Sequence, residues 1–286
     1  MARAELVDGY LASVGVERAA PSLALLTTLT RRHVERFAFC SVGPRLGLAL
    51  PLDVESLFAR IVVQRRGGYC FEHNGLFFEV LQELGFSVQL VLARVIHNQD
   101  THPGLTHRIT CCTIDDERYV VDVGFGALGP SDPVIVSPRE LAEHDRAFRV
   151  VCGRPDDLTP QLPGDRRDPS MVDGAALEFH LQTRKDGQPW SLYRFEFVRY
   201  GQADCELGHF FSHKHPNAVF VNHLVASRIL PDEIRSLRNR VCWFLRATGH
   251  QEVKVTSAPH LQALLLASFD VAITDDEAER LFGALP

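Results

Sequence analysis

The sequence predicts an α+β protein of up to three subdomains, on three observations. Apolar residues recur at helical spacing as far as Gly85, β-branched runs separated by turn residues fill the middle, and a mixed stretch follows. With 286 residues, 45% of them hydrophobic, the chain is long enough to bury a sizeable core. We divide it at 1–85, 86–200 and 201–286.

Met1 to Val14 is polar and then amphipathic, without the cationic start and apolar centre of a signal peptide. Ser22 is placed to cap a helix that carries Leu25, Leu26, Leu29 and Phe37 at helical spacing. Asp53 starts the next, with Leu57, Phe58 and Ile61 on one face. A third runs from about Cys70 to Leu84; Gly67-Gly68 permit a tight turn before it, and Gly85 suits its C-terminal cap. Strands are read at Ser87 to Val95, Thr106 to Ile114, Arg118 to Val123, Val134 to Val136, Ala147 to Val151, Leu177 to Thr183 and Trp190 to Tyr200. Asp115-Asp116 and Asp186-Gly187 are hairpin signals, and Asp156 to Asp173 reads as a surface loop. From about Leu230 onward helical signals return. Leu261 to Ala267 fits a buried helix, and Thr274 with Glu277 makes a capping box before the last one.

A formal net charge of −6 leaves no globally basic surface, so nucleic acid is not expected as a main partner, although Arg65 and Arg66 form a local basic patch. No apolar run reaches membrane-spanning length. Seven cysteines, an odd number without paired spacing, argue for reduced thiols in a cytoplasmic protein.

The most informative segment is Arg66-Gly67-Gly68-Tyr69-Cys70-Phe71-Glu72-His73-Asn74. A thiol at a helix start sees unpaired amide N–H groups and the positive end of the helix dipole, and both favour thiolate, the nucleophilic form. A nucleophile needs a base, and the base needs an orienting group. His107 starts one predicted strand and Asp122 ends the next, so pairing of those strands brings both toward Cys70. Asp122 lies between Val121 and Val123, where a buried carboxylate demands strong hydrogen bonds that an imidazole N–H supplies. The bland alternative is a buried cysteine, a surface histidine and an aspartate in a turn.

Arg66 to Asn74 resembles the nucleophile motif of the arylamine N-acetyltransferases. Thr106-His107 and Val121-Asp122-Val123-Gly124-Phe125-Gly126 resemble that family's histidine and aspartate motifs, in the same order and at compatible spacing. Leu57-Phe58 through Arg94-Val95 also follows the family, and Asp204 through Phe220 does so more weakly. The resemblance implies a helical bundle, a β-barrel and an α/β lid around a cysteine-protease-like Cys-His-Asp core. It implies catalytic roles for Cys70, His107 and Asp122. It also implies acetyl-coenzyme A as co-substrate without a metal, and a small aromatic amine, arylhydroxylamine or hydrazine as acceptor. An aromatic-lined pocket suits a flat acceptor, and the resemblance places Phe39, Phe71, Phe125 and Phe220 there, with Val95, Thr106, Gly124 and Gly126. Arg66, Glu72 and Asn74 stand close to the site as structural residues.

Two departures stand out. The family aromatic matched by Phe39 is usually followed by Glu-Asn, whereas Cys40-Ser41 follow here, which leaves Arg66 without the family's glutamate and makes Glu72 the candidate substitute. His209 to His215 is rich in histidine; His209 and His213 have metal-ligand spacing, but no supporting ligand pattern accompanies them, and a polar loop near the substrate entrance is the preferred reading. His73 is a rival base, ranked below His107 because its helical position points it toward solvent. Cys111-Cys112 reads as a strand pair facing opposite ways. The departures motivate a second reading, an amide synthase that takes its acyl chain from a carrier protein. A non-enzymatic ligand-binding relative and a hydrolytic cysteine enzyme complete the alternatives.

Overall fold

The Ser22 hydroxyl accepts a hydrogen bond from the Leu25 amide at 3.2 Å, and Asp53 accepts one from Ser56 at 2.9 Å, so both helix starts expected from residue type are made. The structure is a computed structural model that describes residues 2–99, 102–137, 141–142, 146–153 and 177–286. The predicted loop from Asp156 to Asp173 lies outside the described residues.

Three long helices, α1 (Arg3–Val14), α2 (Leu23–Arg36) and α5 (Cys70–Glu83), share a core in which Leu6, Tyr10, Leu26, Leu29, Phe77 and Leu81 are fully buried. Each such side chain contributes about 1.5–3 kcal/mol by leaving water. Between α2 and α5 in the chain come the short helices α3 (Val42–Arg45) and α4 (Val54–Phe58), and α4 runs into a π-helical turn, Ala59–Val63.

The middle of the chain forms β2 (Ser87–Val95), β3 (His107–Ile114), β4 (Glu117–Val121), β5 (Val134–Ile135), β6 (Phe148–Gly153), β7 (Glu178–Lys185) and β8 (Gln188–Phe195). They build one antiparallel sheet in the order β5-β4-β3-β2-β8-β7-β6, whose edge strands β5 and β6 lie beside each other, so the sheet curls into a nearly closed barrel. Both expected hairpins are present, with positive φ at Asp115, Asp116, Asp186 and Gly187, as two-residue turns between twisted strands require.

A second sheet has the order β1-β9-β10-β11-β12, from β1 (Phe39–Cys40), β9 (Val225–Ile229), β10 (Ile234–Arg238), β11 (Val241–Arg246) and β12 (Gly249–Lys254). Helices α6 (Gln202–Lys214) and α7 (Val219–Asn222) precede it, and α8 (Ala258–Phe269) and α9 (Asp275–Gly283) follow. This corrects the expectation of helix from about Leu230, because residues 234–254 are strands. Their alternation is hard to read in sequence because one face packs Leu237 and Cys242 into a core with α8, while the other presents Ser236, Arg238 and Trp243 to a cleft. Phe39 and Cys40 pair with Ser227 and Ala226, so the N-terminal part supplies this sheet's edge strand. Among the described residues no helix is long and apolar enough to cross a membrane.

Candidate active site

Cys70 is the first residue of α5. Gly67, at φ 64°, turns the chain into it, and a side chain there would meet Cys40 Cβ at 2.6 Å and the Ala38 carbonyl oxygen at 2.9 Å. The Glu72 carboxylate accepts a hydrogen bond from the Tyr69 amide at 3.1 Å, closing the first turn, and pairs with Arg60. The Cys70 thiol donates to the Thr106 carbonyl oxygen at 3.6 Å, which holds the sulfur beside the residue that precedes His107.

β3 and β4 pair as expected, with Thr110 opposite Val121, so His107 and Asp122 meet at one end of the barrel. His107 Nε2 donates to Asp122 Oδ2 at 2.7 Å, and both side chains are buried. Burial by itself lowers the imidazole pKa, but the charge and hydrogen bond of Asp122, with a side-chain hydrogen bond and charge from Cys70, outweigh it and raise it to about 10. Nδ1 is left for the thiol. Asp122 is held on its other oxygen by Asn74 Nδ2 at 2.8 Å and the Gly124 amide at 3.0 Å. These bonds and His107 keep its carboxyl below the usual range although burial pushes it up. Asn74 also accepts from the Val123 amide at 3.0 Å, tying α5 to the aspartate loop. Gly124 packs so closely on this helix that a Cβ would lie 2.9 Å from Cys70 Cα and 2.8 Å from Asn74 Nδ2.

The thiol opens onto a cleft of about 480 Å³. Of the expected pocket residues, Phe39, Val95, Thr106, Gly124, Phe125, Gly126 and Phe220 line it. Phe71 does not: it is fully buried beside Tyr69 and His209, which corrects its assignment to the pocket. His73 is also buried rather than solvent-facing. Its Nε2 donates to the Ala38 carbonyl at 3.0 Å and its Nδ1 accepts from His33 at 2.8 Å, which directs it away from Cys70.

Glu72 is not the partner of Arg66; Arg66 pairs with Glu277 and Arg65 with Asp270, so the local basic patch is neutralised. The segment read as a polar loop is the end of α6, where His209 donates to the Leu50 carbonyl at 2.8 Å and accepts from the Tyr69 hydroxyl, stacked on His213. Among the described residues no group of three or more metal-ligating side chains is assembled. Sequence reasoning missed Tyr193, whose ring lies 5.1 Å from that of His107 and whose phenol burial and the Asp122 charge push up. It also missed His97, Ser227, Ser236, Arg238 and Trp243, all at the cleft, whereas Ser212, which also lines it, lies in the stretch that weakly resembles the family's substrate-proximal segment. His97-Asn98 was readable as a turn; nothing local marked the others.

A thiol beside a buried imidazole–carboxylate pair at the floor of an apolar cleft is suited to thioester chemistry. The chain matches a family model described as N-acetyltransferase over residues 22–278. It belongs to the arylamine N-acetyltransferase family and is an acyltransferase enzyme with that family's fold. It is 30% identical to an arylamine N-acetyltransferase of Mycolicibacterium smegmatis over 94% of this chain and 93% of that one. It is 31% identical to the arylamine N-acetyltransferase / N-hydroxyarylamine O-acetyltransferase of Salmonella typhimurium, over 89% and 84%. The solved structure of the Mycobacterium marinum arylamine N-acetyltransferase in complex with CoA matches with a TM-score of 0.82 at 26% identity, covering 98% of this chain and 100% of that one.

Proposed function

We propose that the protein transfers an acetyl group from acetyl-coenzyme A to an arylamine, arylhydroxylamine or hydrazine through an acyl-cysteine on Cys70. The observation that carries this reading is the buried 2.7 Å pair of His107 and Asp122 next to a thiol at a helix start. In the first half-reaction the Cys70 sulfur, its proton taken by His107, attacks the thioester carbonyl carbon. The carbon–sulfur bond to coenzyme A then breaks, and the leaving thiolate takes that proton back. In the second, the amine nitrogen attacks the acyl-cysteine, His107 accepts its proton, and the bond to Cys70 sulfur breaks as the amide forms. Asp122 holds the imidazole tautomer and stabilises the imidazolium. The Cys70 amide at the start of α5 is our candidate oxyanion donor. On the proposed division, 1–85 supplies Cys70, 86–200 supplies His107 and Asp122, and 201–286 covers the cleft with Phe220. Phe39, Phe125 and Phe220 would hold a flat acceptor. A cytoplasmic setting, proposed from the unpatterned cysteine content, suits a reactive thiol.

The departures that motivated the amide-synthase reading have structural uses. Ser41 accepts from the Val225 amide at 2.8 Å and donates to the His223 carbonyl at 3.0 Å, latching β1 to β9, and His209 is a packing residue. The acetyl-coenzyme A reading is therefore preferred. Intact-mass spectrometry after mixing with acetyl-coenzyme A tests it: an acetyl adduct lost in Cys70→Ala and discharged by an aniline supports it, and acylation by carrier-bound chains alone would replace it.

A further inference from the structure

The cleft-facing side of the second sheet carries hydrogen-bond donors without acceptors. Phe39, Ser227, Ser236 and Trp243 stand directly opposite one another on successive strands, so they form one row that begins beside Cys70 and runs outward. At about 4.8 Å per strand, Ser236 lies roughly 10 Å from Phe39 along that row. Arg238 follows Ser236 by two positions on β10 and so shares its face; both line the cleft. Trp243 closes the row, its indole N–H held by Glu252 at 3.2 Å.

The arginines nearby show what is unusual about Arg238. Arg228 bonds the Glu35 carbonyl, Arg235 and Arg246 share Glu233, and Arg240 bonds the Phe282 and Leu285 carbonyls. Among the described residues Arg238 has no ion pair and no side-chain hydrogen bond, and the same holds for the hydroxyls of Ser227 and Ser236. Ser227 is only 3% exposed and lines the cleft, and a Cβ on Gly126 would lie 3.1 Å from its hydroxyl oxygen. A free guanidinium and two adjacent hydroxyls, with no carboxylate paired to the guanidinium, match an anion better than any neutral group.

We propose that Arg238, with Ser227 and Ser236, forms a subsite for an anionic group on a substrate. The anion is a phosphate of the acyl donor in the first half-reaction or a carboxylate on the acceptor amine in the second. This rests on the acetyl-transfer reading above.

The test compares wild type with Arg238→Gln and Ser236→Ala in separated half-reactions. Acylation is followed with acetyl-coenzyme A and with acetyl-pantetheine, which lacks the phosphates. Discharge of the acyl-enzyme is followed with aniline and with 4-aminobenzoate. Loss of a charge-assisted contact is expected to raise KM for the anionic member of one pair about tenfold relative to its neutral member. The first pair responding assigns the phosphate; the second assigns the carboxylate. Equal effects on neutral and anionic members, or none, would overturn the subsite. Wild-type protein that forms no Cys70 adduct would overturn the acetyl-transfer reading instead, so the two failures are distinct.

Discussion

Arg66 donates to both carboxylate oxygens of Glu277, at 2.7 and 2.5 Å, and to the Ala272 carbonyl at 2.7 Å. Glu277 also caps α9, accepting from the Thr274 amide at 2.9 Å. The Ala272 amide in turn bonds the Arg65 carbonyl at 2.9 Å. The last helix therefore braces the loop that leads into Cys70, in the place where Cys40 cannot offer a carboxylate. Glu277→Gln keeps a capping group but removes the charge. We expect it to lower stability by about 1–2 kcal/mol in urea unfolding and to slow Cys70 acylation several-fold. Thr274→Ala should lose about 1 kcal/mol with the acylation rate retained. Equal losses of acylation in both variants would show that the helix, not the ion pair, matters.

The His107–Asp122 pair sets the second expectation. Asp122→Asn leaves volume and the Asn74 contact largely in place but removes the charge that orients and stabilises the imidazolium. Single-turnover acylation should fall about a thousandfold or more, with far-ultraviolet circular dichroism unchanged. A loss of only a few-fold would mean that His107 does not act as the base.

Gly124→Ala tests the close approach of the aspartate loop to α5. The new methyl would sit 2.8–3.1 Å from Asn74 Nδ2, Cys70 Cα and the Cys70 carbonyl oxygen, so the loop must move away from the thiol. Overpacking of this kind costs about 1–3 kcal/mol, and acylation should fall with it. Thermal unfolding and mass-detected acylation of the same sample check both, and unchanged values would refute the packing argument.

Two pH windows follow from the buried histidines. His33 and His73 are neutral in the fold because burial lowers both, His73 to about 4, and their chain of bonds runs from the Tyr10 hydroxyl to the Ala38 carbonyl, which can only accept. The unfolded chain takes up protons there below pH 6.5, so stability is full above that pH and falls as pH drops from 6.5 through about 4. The slope is about 1.4 kcal/mol per pH unit for each proton. His107 works in the opposite sense. Its raised pKa makes its contribution full below pH 6.5 and lost as pH climbs through about 10. Urea midpoints should therefore decline on both limbs, His73→Gln flattening the acid one and Asp122→Asn the alkaline one. A variant that leaves its limb unchanged would reject that assignment.

Much of the site was readable from local pattern. Gly67-Gly68 before Cys70, the valines around Asp122 and the two hairpin turns each carry a strong short-range preference that the fold keeps. Phe71 was misplaced because an aromatic next to a nucleophile in sequence sits a hundred degrees round the helix from it. His73 was misjudged because a polar ring can be buried once a second histidine and a carbonyl satisfy both of its nitrogens. The strands of residues 234–254 were hidden because Trp243 on the cleft face joins Val241, Cys242, Phe244 and Leu245 in one continuous apolar run, which fits a helix as well as a strand.

Local sequence signals suffice for the start of a helix at Cys70, for a carboxylate and an imidazole that end and begin neighbouring strands, and for Glu277 as the cap of the last helix. These follow from spacing, capping and turn chemistry, which act over a few residues. Packing of distant elements is what brings Glu277 to Arg66 across 211 positions, turns Phe71 inward, and leaves Arg238 unpaired at the cleft among the described residues. The reason is physical. Which partner a long side chain finds depends on how whole elements pack, and the same residue type is satisfied by any carboxylate or carbonyl that packing brings within reach.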